Sequence, residues 1–199
     1  MIYKNIMALL KENLWFFVML VLLVSTSGIL SGCKEKASAP APSVAPPKNI
    51  GQCEILDTLP GDIAKPVEVN YGDKIKLLGI TINKRVDNKL KISYYWQLLG
   101  ELGPYNRVFV IFSDKSNKQL FGDDHDFCQN QPLEKLKGKF IKETTIVYIP
   151  KSADGQKLDV GIGMFGPELK TDARLRVKSA GKTPLADANS RAIIEELSL

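Results

Sequence analysis

Apolar and polar positions alternate most clearly in Lys89–Leu98, where Leu90, Ile92, Tyr94, Trp96 and Leu98 interleave with Lys89, Lys91, Ser93, Tyr95 and Gln97. Successive side chains of an extended chain point to opposite faces, so this run predicts a strand with one buried and one wet face. Leu158–Phe165 repeats the pattern, with Leu158, Val160, Ile162 and Met164 inward. Arg107–Phe112 and Thr144–Ile149 are nearly continuous apolar runs, as expected of central strands. Lys74–Ile82 changes phase at Leu77-Leu78-Gly79, which predicts a bulge or a bend between sheets. Ala173–Val177 and Ala192–Leu199 complete the set, although Ile193–Leu199 also fits a short helix. Turn residues punctuate these runs at Tyr71-Gly72-Asp73, Val86-Asp87-Asn88, Gly100–Pro104, Asp114–Asn117 and Asp154-Gly155. No stretch sustains helical periodicity. The pattern therefore predicts an all-β fold, an antiparallel immunoglobulin-like or jelly-roll β-sandwich of about seven to nine strands beginning near Val67.

The N-terminus does not belong to that pattern. Lys4 and Lys11 precede Leu14–Leu30, a run without charge, and Leu30-Ser31-Gly32-Cys33 follows directly. A basic start, an apolar stretch and small residues before a cut describe a secretory signal. With cysteine right after Ser31-Gly32, the segment resembles a bacterial lipoprotein signal, in which Cys33 carries the lipid. The other reading of the run is a plain membrane anchor, for which it lies at the lower edge of spanning length. Lys34–Asn49 then places Pro40, Pro42, Pro46 and Pro47 among alanines and serines, with no apolar periodicity. Such a segment extends at about 3.1 Å per residue and acts as a tether. The expected organisation is a signal over 1–32, the lipidated Cys33 and a Pro/Ala-rich tether over 33–50, and one sandwich domain with an N-terminal lead-in over 51–199.

Charge narrows the partners. The net charge is +5, from 27 Lys+Arg against 22 Asp+Glu spread along the chain, so there is no concentrated basic footprint for nucleic acid. The expected partners are the membrane, through the N-terminal lipid, and an envelope protein or polysaccharide; nucleic acid is not among them, and no cofactor is expected. Lys34 after the lipidated cysteine fits sorting to the outer membrane where two membranes exist.

A family resemblance runs through the strand region. "YGDKIKLLGI", "LKISYYW", "RVFVIF", "DDHDF", "IVYIP" and "LDVGIGMF" followed by "ARLRV" resemble, in that order, a β-sandwich domain found at the C-termini of some dolichyl-phosphate-mannose-type glycosyltransferases. The same domain occurs alone in bacterial envelope proteins. The resemblance covers roughly Val67–Val177. It implies a sandwich and brings no catalytic residues, and fold alone does not carry activity across.

Candidate chemistry concentrates in "GDDHDFC", Gly122–Cys128, which holds Asp123, Asp124, the only histidine, His125, then Asp126 and one of the three cysteines. With Cys33 lipidated, Cys53 and Cys128 remain, an even pair that reads as a disulfide in an oxidising compartment. Two free thiols and a thiol–histidine metal site are the alternatives. Asp123–Asp126 reads first as a polar turn between buried Phe121 and Phe127, since Asp side chains bond turn backbones. A metal or ligand site on Asp123, Asp124, His125 and Asp126 is the second reading, although the spacing is not that of an EF-hand loop. A small hydrolase or metal-dependent enzyme centred on Asp124, His125 and Asp126 is the third. It lacks a nucleophile-elbow motif to support it.

Two weaker signals remain. "GIGMFG", Gly161–Gly166, matches the dinucleotide-binding string but sits in a strand pattern rather than a turn leading into a helix. Tyr95 and Tyr105 are candidates for glycan stacking, Tyr95 facing outward by phase and Tyr105 in a loop, whereas Tyr94 and Trp96 read as core. The expectation is a lipid-anchored, exported envelope protein that binds or scaffolds, and not an enzyme.

Overall fold

In a computed structural model of the 199-residue chain, the structure describes residues 52–102, 106–129, 131–166 and 173–199. The signal, Cys33, the tether and Tyr105 lie outside the described residues. Among the described residues eleven strands run in chain order: β1 (Gln52–Leu56), β2 (Lys65–Tyr71), β3 (Ile75–Ile82), β4 (Lys89–Leu98), β5 (Arg107–Ser113), β6 (Gln119–Asp126), β7 (Phe140–Tyr148), β8 (Lys157–Met164), β9 (Val177–Ser179), β10 (Leu185–Ala186) and β11 (Arg191–Ser198). They form two antiparallel sheets, one ordered β1-β7-β4-β3-β2-β9 and the other β10-β11-β8-β5-β6. Two single 3₁₀ turns, Leu133–Leu136 and Lys151–Ala153, are the helical elements of the described residues. The fold is a β-sandwich.

The inward rows of the two sheets make the core. Leu90, Ile92, Tyr94, Trp96 and Leu98 of β4 face Val108, Val110 and Phe112 of β5 and Leu158, Val160, Ile162 and Met164 of β8, all buried within one hydrophobic cluster. Trp96 is its centre, with ring centroids 6.1 Å from Tyr94, 6.4 Å from Tyr71 and 5.9 Å from Phe127. The sheets are also tied by a polar contact, the Tyr71 hydroxyl donating to the Ile162 carbonyl at 2.7 Å. β5, between β6 and β8, is buried along nearly its whole length. The phase change in β3 is a true irregularity, since its register against β4 shifts between Leu77 and Gly79.

Several elements depart from the sequence pattern. The strand count exceeds seven to nine because the lead-in supplies β1, the Asp–His stretch supplies β6 and a two-residue β10 pairs with β11. Thr144–Ile149 belongs to a strand covered on one face only: Ile146 and Tyr148 are 43% and 44% exposed while Thr145 and Val147 are buried. The anticipated Ala173–Val177 strand contributes only Val177 to β9, Arg174 making an isolated bridge to Phe165. The C-terminal segment is strand β11, not helix, with its register against β8 shifting between Ile193 and Glu195.

The glycines of the Gly161–Gly166 string have a packing role. Gly161 and Gly163 lie inside β8 and pair with β5 and β11. A Cβ on Gly163 would run into the Phe109 ring, and one on Gly161 would come within 2.7 Å of Arg191 Cδ. Two neighbouring side chains thus fold down over the bare backbone of β8, as glycine in a strand often permits. Phe109 is then flanked by Phe165 at 4.9 Å and by the Arg174 guanidinium 4.8 Å over its ring. Gly163→Ala is expected to lower unfolding stability by about 1–3 kcal/mol through overpacking. Urea denaturation checks it, and an unchanged midpoint would show that Phe109 gives way freely.

Candidate functional site

The Asp–His stretch is strand, not turn. Asp123 to Asp126 pair with Arg107 to Val110 of β5, and the chain turns only at Phe127–Gln129. The polar residues disguise the strand because its inward row also carries polar side chains. Asp123 and His125 share the inner face, whereas Asp124 is exposed and Asp126 pairs with Arg107 Nε at 3.1 Å. Asp126 also accepts a hydrogen bond from the Gln129 amide.

His125 is 1% exposed and bridges the sheets. Its Nδ1 lies 3.3 Å from Asp123 Oδ2 on its own strand, and its Nε2 lies 3.5 Å from Glu143 Oε1 on β7 of the other sheet. Neither ring nitrogen has an aligned hydrogen bond, so these contacts are ion pairs. Glu143 is fully buried, and its carboxylate is held from two further directions. Trp96 Nε1 donates to Oε2 at 3.1 Å and the Cys128 backbone N–H donates to Oε1 at 3.3 Å. The Tyr94 ring packs 5.7 Å from the imidazole, and burial pushes its hydroxyl pKa well up.

Burial alone would lower the imidazole pKa. The Glu143 charge and the contacts with Asp123 and Glu143 outweigh it, and the ring is pushed up to about 10. At neutral pH an imidazolium therefore sits between two carboxylates inside the core. This arrangement compensates a buried cation, and it satisfies the rule that interior charges come paired.

Beside this group Cys53 and Cys128 form a disulfide with Cα atoms 5.3 Å apart. Cys53 is in β1 and Cys128 directly follows β6, so the bond joins the edge strands of the two sheets. Cys53 also stands opposite Glu143 in the β1–β7 register. The disulfide and the Asp123–His125–Glu143 group together close one long side of the sandwich. On the opposite side, Lys65 of β2 lies 3.6 Å from Glu195 of β11.

The structure separates the other candidates. Asp124, His125 and Asp126 do not share a pocket, because alternation along β6 sends the histidine inward and the two aspartates outward. Tyr95, expected to face solvent, is 7% exposed. It stands opposite Gly79, which offers no side chain to prop the ring away from the sheet, and it is no stacking platform. Glu143 was not singled out from sequence at all. Its signal is an acidic residue on the inward row Ile141, Glu143, Thr145, Val147 of β7.

A separate concavity of ≈ 500 Å³ opens between the sheets at the β2–β11 side. Ile80, Ile82, Leu90 and Leu197 line it, with Lys65 and Arg85 also contributing. Arg85 pairs with Asp154 at 2.6 Å, so its charge is partly spent within the fold. No protein-family model matches the chain, and no curated protein matches it significantly.

Proposed function

We propose that this chain is a lipid-anchored protein of the cell envelope whose sandwich domain binds or scaffolds rather than catalyses. The observation that carries the reading is the Cys53–Cys128 disulfide across the two sheets. Such a bond persists in an oxidising compartment, in keeping with export. The leader and Cys33 then supply the membrane attachment. Several acyl chains, each contributing about 0.8 kcal/mol per buried methylene, make such anchoring effectively permanent. Lys34 favours the outer membrane in a two-membrane cell.

The non-catalytic part rests on the location of the titratable groups. His125 and Glu143 are enclosed in the core, out of reach of a substrate, with Asp123 largely covered beside them, and the group serves the packing of the sheets. The ≈ 500 Å³ concavity offers an apolar floor with charged groups around it, the make-up of a recognition site for an envelope protein or polysaccharide.

Fractionation of cells producing the native chain and Cys33→Ala tests the anchoring. The native protein is expected in the membrane fraction, soluble only in detergent. The variant is expected to lose the mass of the lipid and its processing at residue 33. Native protein that carries no lipid in a mass spectrum would overturn the reading.

A further inference from the structure

We propose that reduction of the Cys53–Cys128 bond converts this side of the sandwich into a metal site, in which the two thiolates and the Glu143 carboxylate bind a divalent cation of the Zn²⁺ type. The two sulfurs and a Glu143 oxygen all lie within 4.8 Å of one another. Zn–O and Zn–S bonds are ~2.0–2.3 Å, so a carboxylate oxygen this near both sulfurs is within reach of a shared ion once the sulfurs separate. In the oxidised chain the two sulfurs are bonded to each other, and reduction lets them part to the ~3.7 Å that two tetrahedral Zn–S bonds span, with the Glu143 oxygen already beside them.

The scaffold holds these groups without the disulfide. Cys53 and Glu143 are opposite one another in the β1–β7 ladder, so backbone pairing fixes their separation. Cys128 follows β6 directly, and its N–H is bonded to the Glu143 carboxylate. The Trp96 indole fixes the other carboxylate oxygen, the kind of outer support that orients metal ligands. His125 lies outside this set and stays paired with the carboxylate, its Nε2 3.5 Å from Glu143 Oε1, which leaves the fourth position to a water molecule.

The chemistry selects the cation. Two thiolates and a carboxylate favour Zn²⁺ and its tetrahedral relatives over Mg²⁺ or Ca²⁺, which take oxygen. A dithiol reductant supplies two electrons and two protons, breaking the S–S bond to give two thiols while its own sulfurs join. The incoming cation then displaces both thiol protons to solvent. The resulting pair of charges is compensated by the metal where, in a dry interior, bare thiolates would not persist. Oxidation expels the ion and restores the bond. The inference holds whether or not the chain is lipid-anchored.

The test uses the full chain carrying Cys33→Ala in detergent, so that only Cys53 and Cys128 are thiols. It is reduced with a phosphine under anaerobic conditions and titrated with Co²⁺. The expected result is a thiolate-to-cobalt charge-transfer band with tetrahedral d–d absorption that saturates at one ion per chain. The band is absent before reduction and in Cys53→Ser, and Glu143→Gln weakens Co²⁺ binding by about tenfold or more. Near-UV circular dichroism from the core aromatics is followed in parallel. No band in the reduced chain, a band that survives Cys53→Ser, a Glu143→Gln variant that binds as well as its parent, or reduction that abolishes the aromatic signal would each overturn the proposal.

Discussion

Glu143→Ala is expected to lower the free energy of unfolding by about 3–5 kcal/mol, the cost of breaking a buried pair by removing one partner. The substitution leaves the His125 imidazolium with Asp123 as its one carboxylate and also leaves the Trp96 indole N–H and the Cys128 N–H without their acceptor. Glu143→Gln, which keeps an oxygen for Trp96, should lose less. The pH dependence follows with a definite sign. The folded pKa of His125 is about 10, above the ~6.5 of an unfolded histidine. Below pH ~6.5 both states hold the proton and the contribution is fully present. Above it the unfolded chain releases the proton while the folded chain keeps it. Stability therefore falls as pH rises and the contribution is gone once pH passes about 10. Urea midpoints at pH 6, 8 and 10 should decline in the native protein and flatten in His125→Gln. Equal slopes in the two would refute the ion-pair account.

The second large effect belongs to the disulfide. Cys53 and Cys128 are separated by 75 residues, and closing a loop of that size stabilises by roughly 4 kcal/mol through the entropy of the unfolded chain. The double change Cys53→Ala, Cys128→Ala should therefore lower the thermal midpoint by on the order of 10 °C in a domain of this size. Differential scanning calorimetry of the oxidised parent, the reduced parent and the double variant checks this, and parent and variant melting together would rule it out. The effects at Glu143 and at the cysteines are not expected to add. Cys128 donates its backbone N–H to the same carboxylate, and neighbours in one network couple.

How much of this could be read in the sequence depends on what each face of a strand meets. The bounds and inward row of β4 were legible because that row is wholly apolar, and the β3 irregularity was legible because Leu77-Leu78-Gly79 breaks the alternation. β6 was not. Its inward row contains Asp123 and His125, which look like solvent-facing residues until Glu143 appears across the sandwich, and nothing local to either strand announces the other. Tyr95 illustrates the same limit from the outer face. Alternation gives the side of the sheet, whereas the cover over that side comes from elements far away in the chain. Gly161 and Gly163 were readable as unsuited to a nucleotide turn, but that Arg191 and Phe109 lie over them depends on strand order in the sheet. β1 was missed because Gln52–Leu56 is short and exposed at three of its five positions.

The position of Cys53 has a mechanical meaning. It is the second residue of β1 and pairs with Glu143 one step in from the edge of the described fold. A load drawn through the N-terminal side of the chain would otherwise unzip β1 from β7 one hydrogen-bonded pair at a time, which needs little force. With Cys53 linked to Cys128, the pull passes through a covalent bond to the end of β6 and is shared by both sheets. The sandwich then resists as one body, and β1 is spared from peeling.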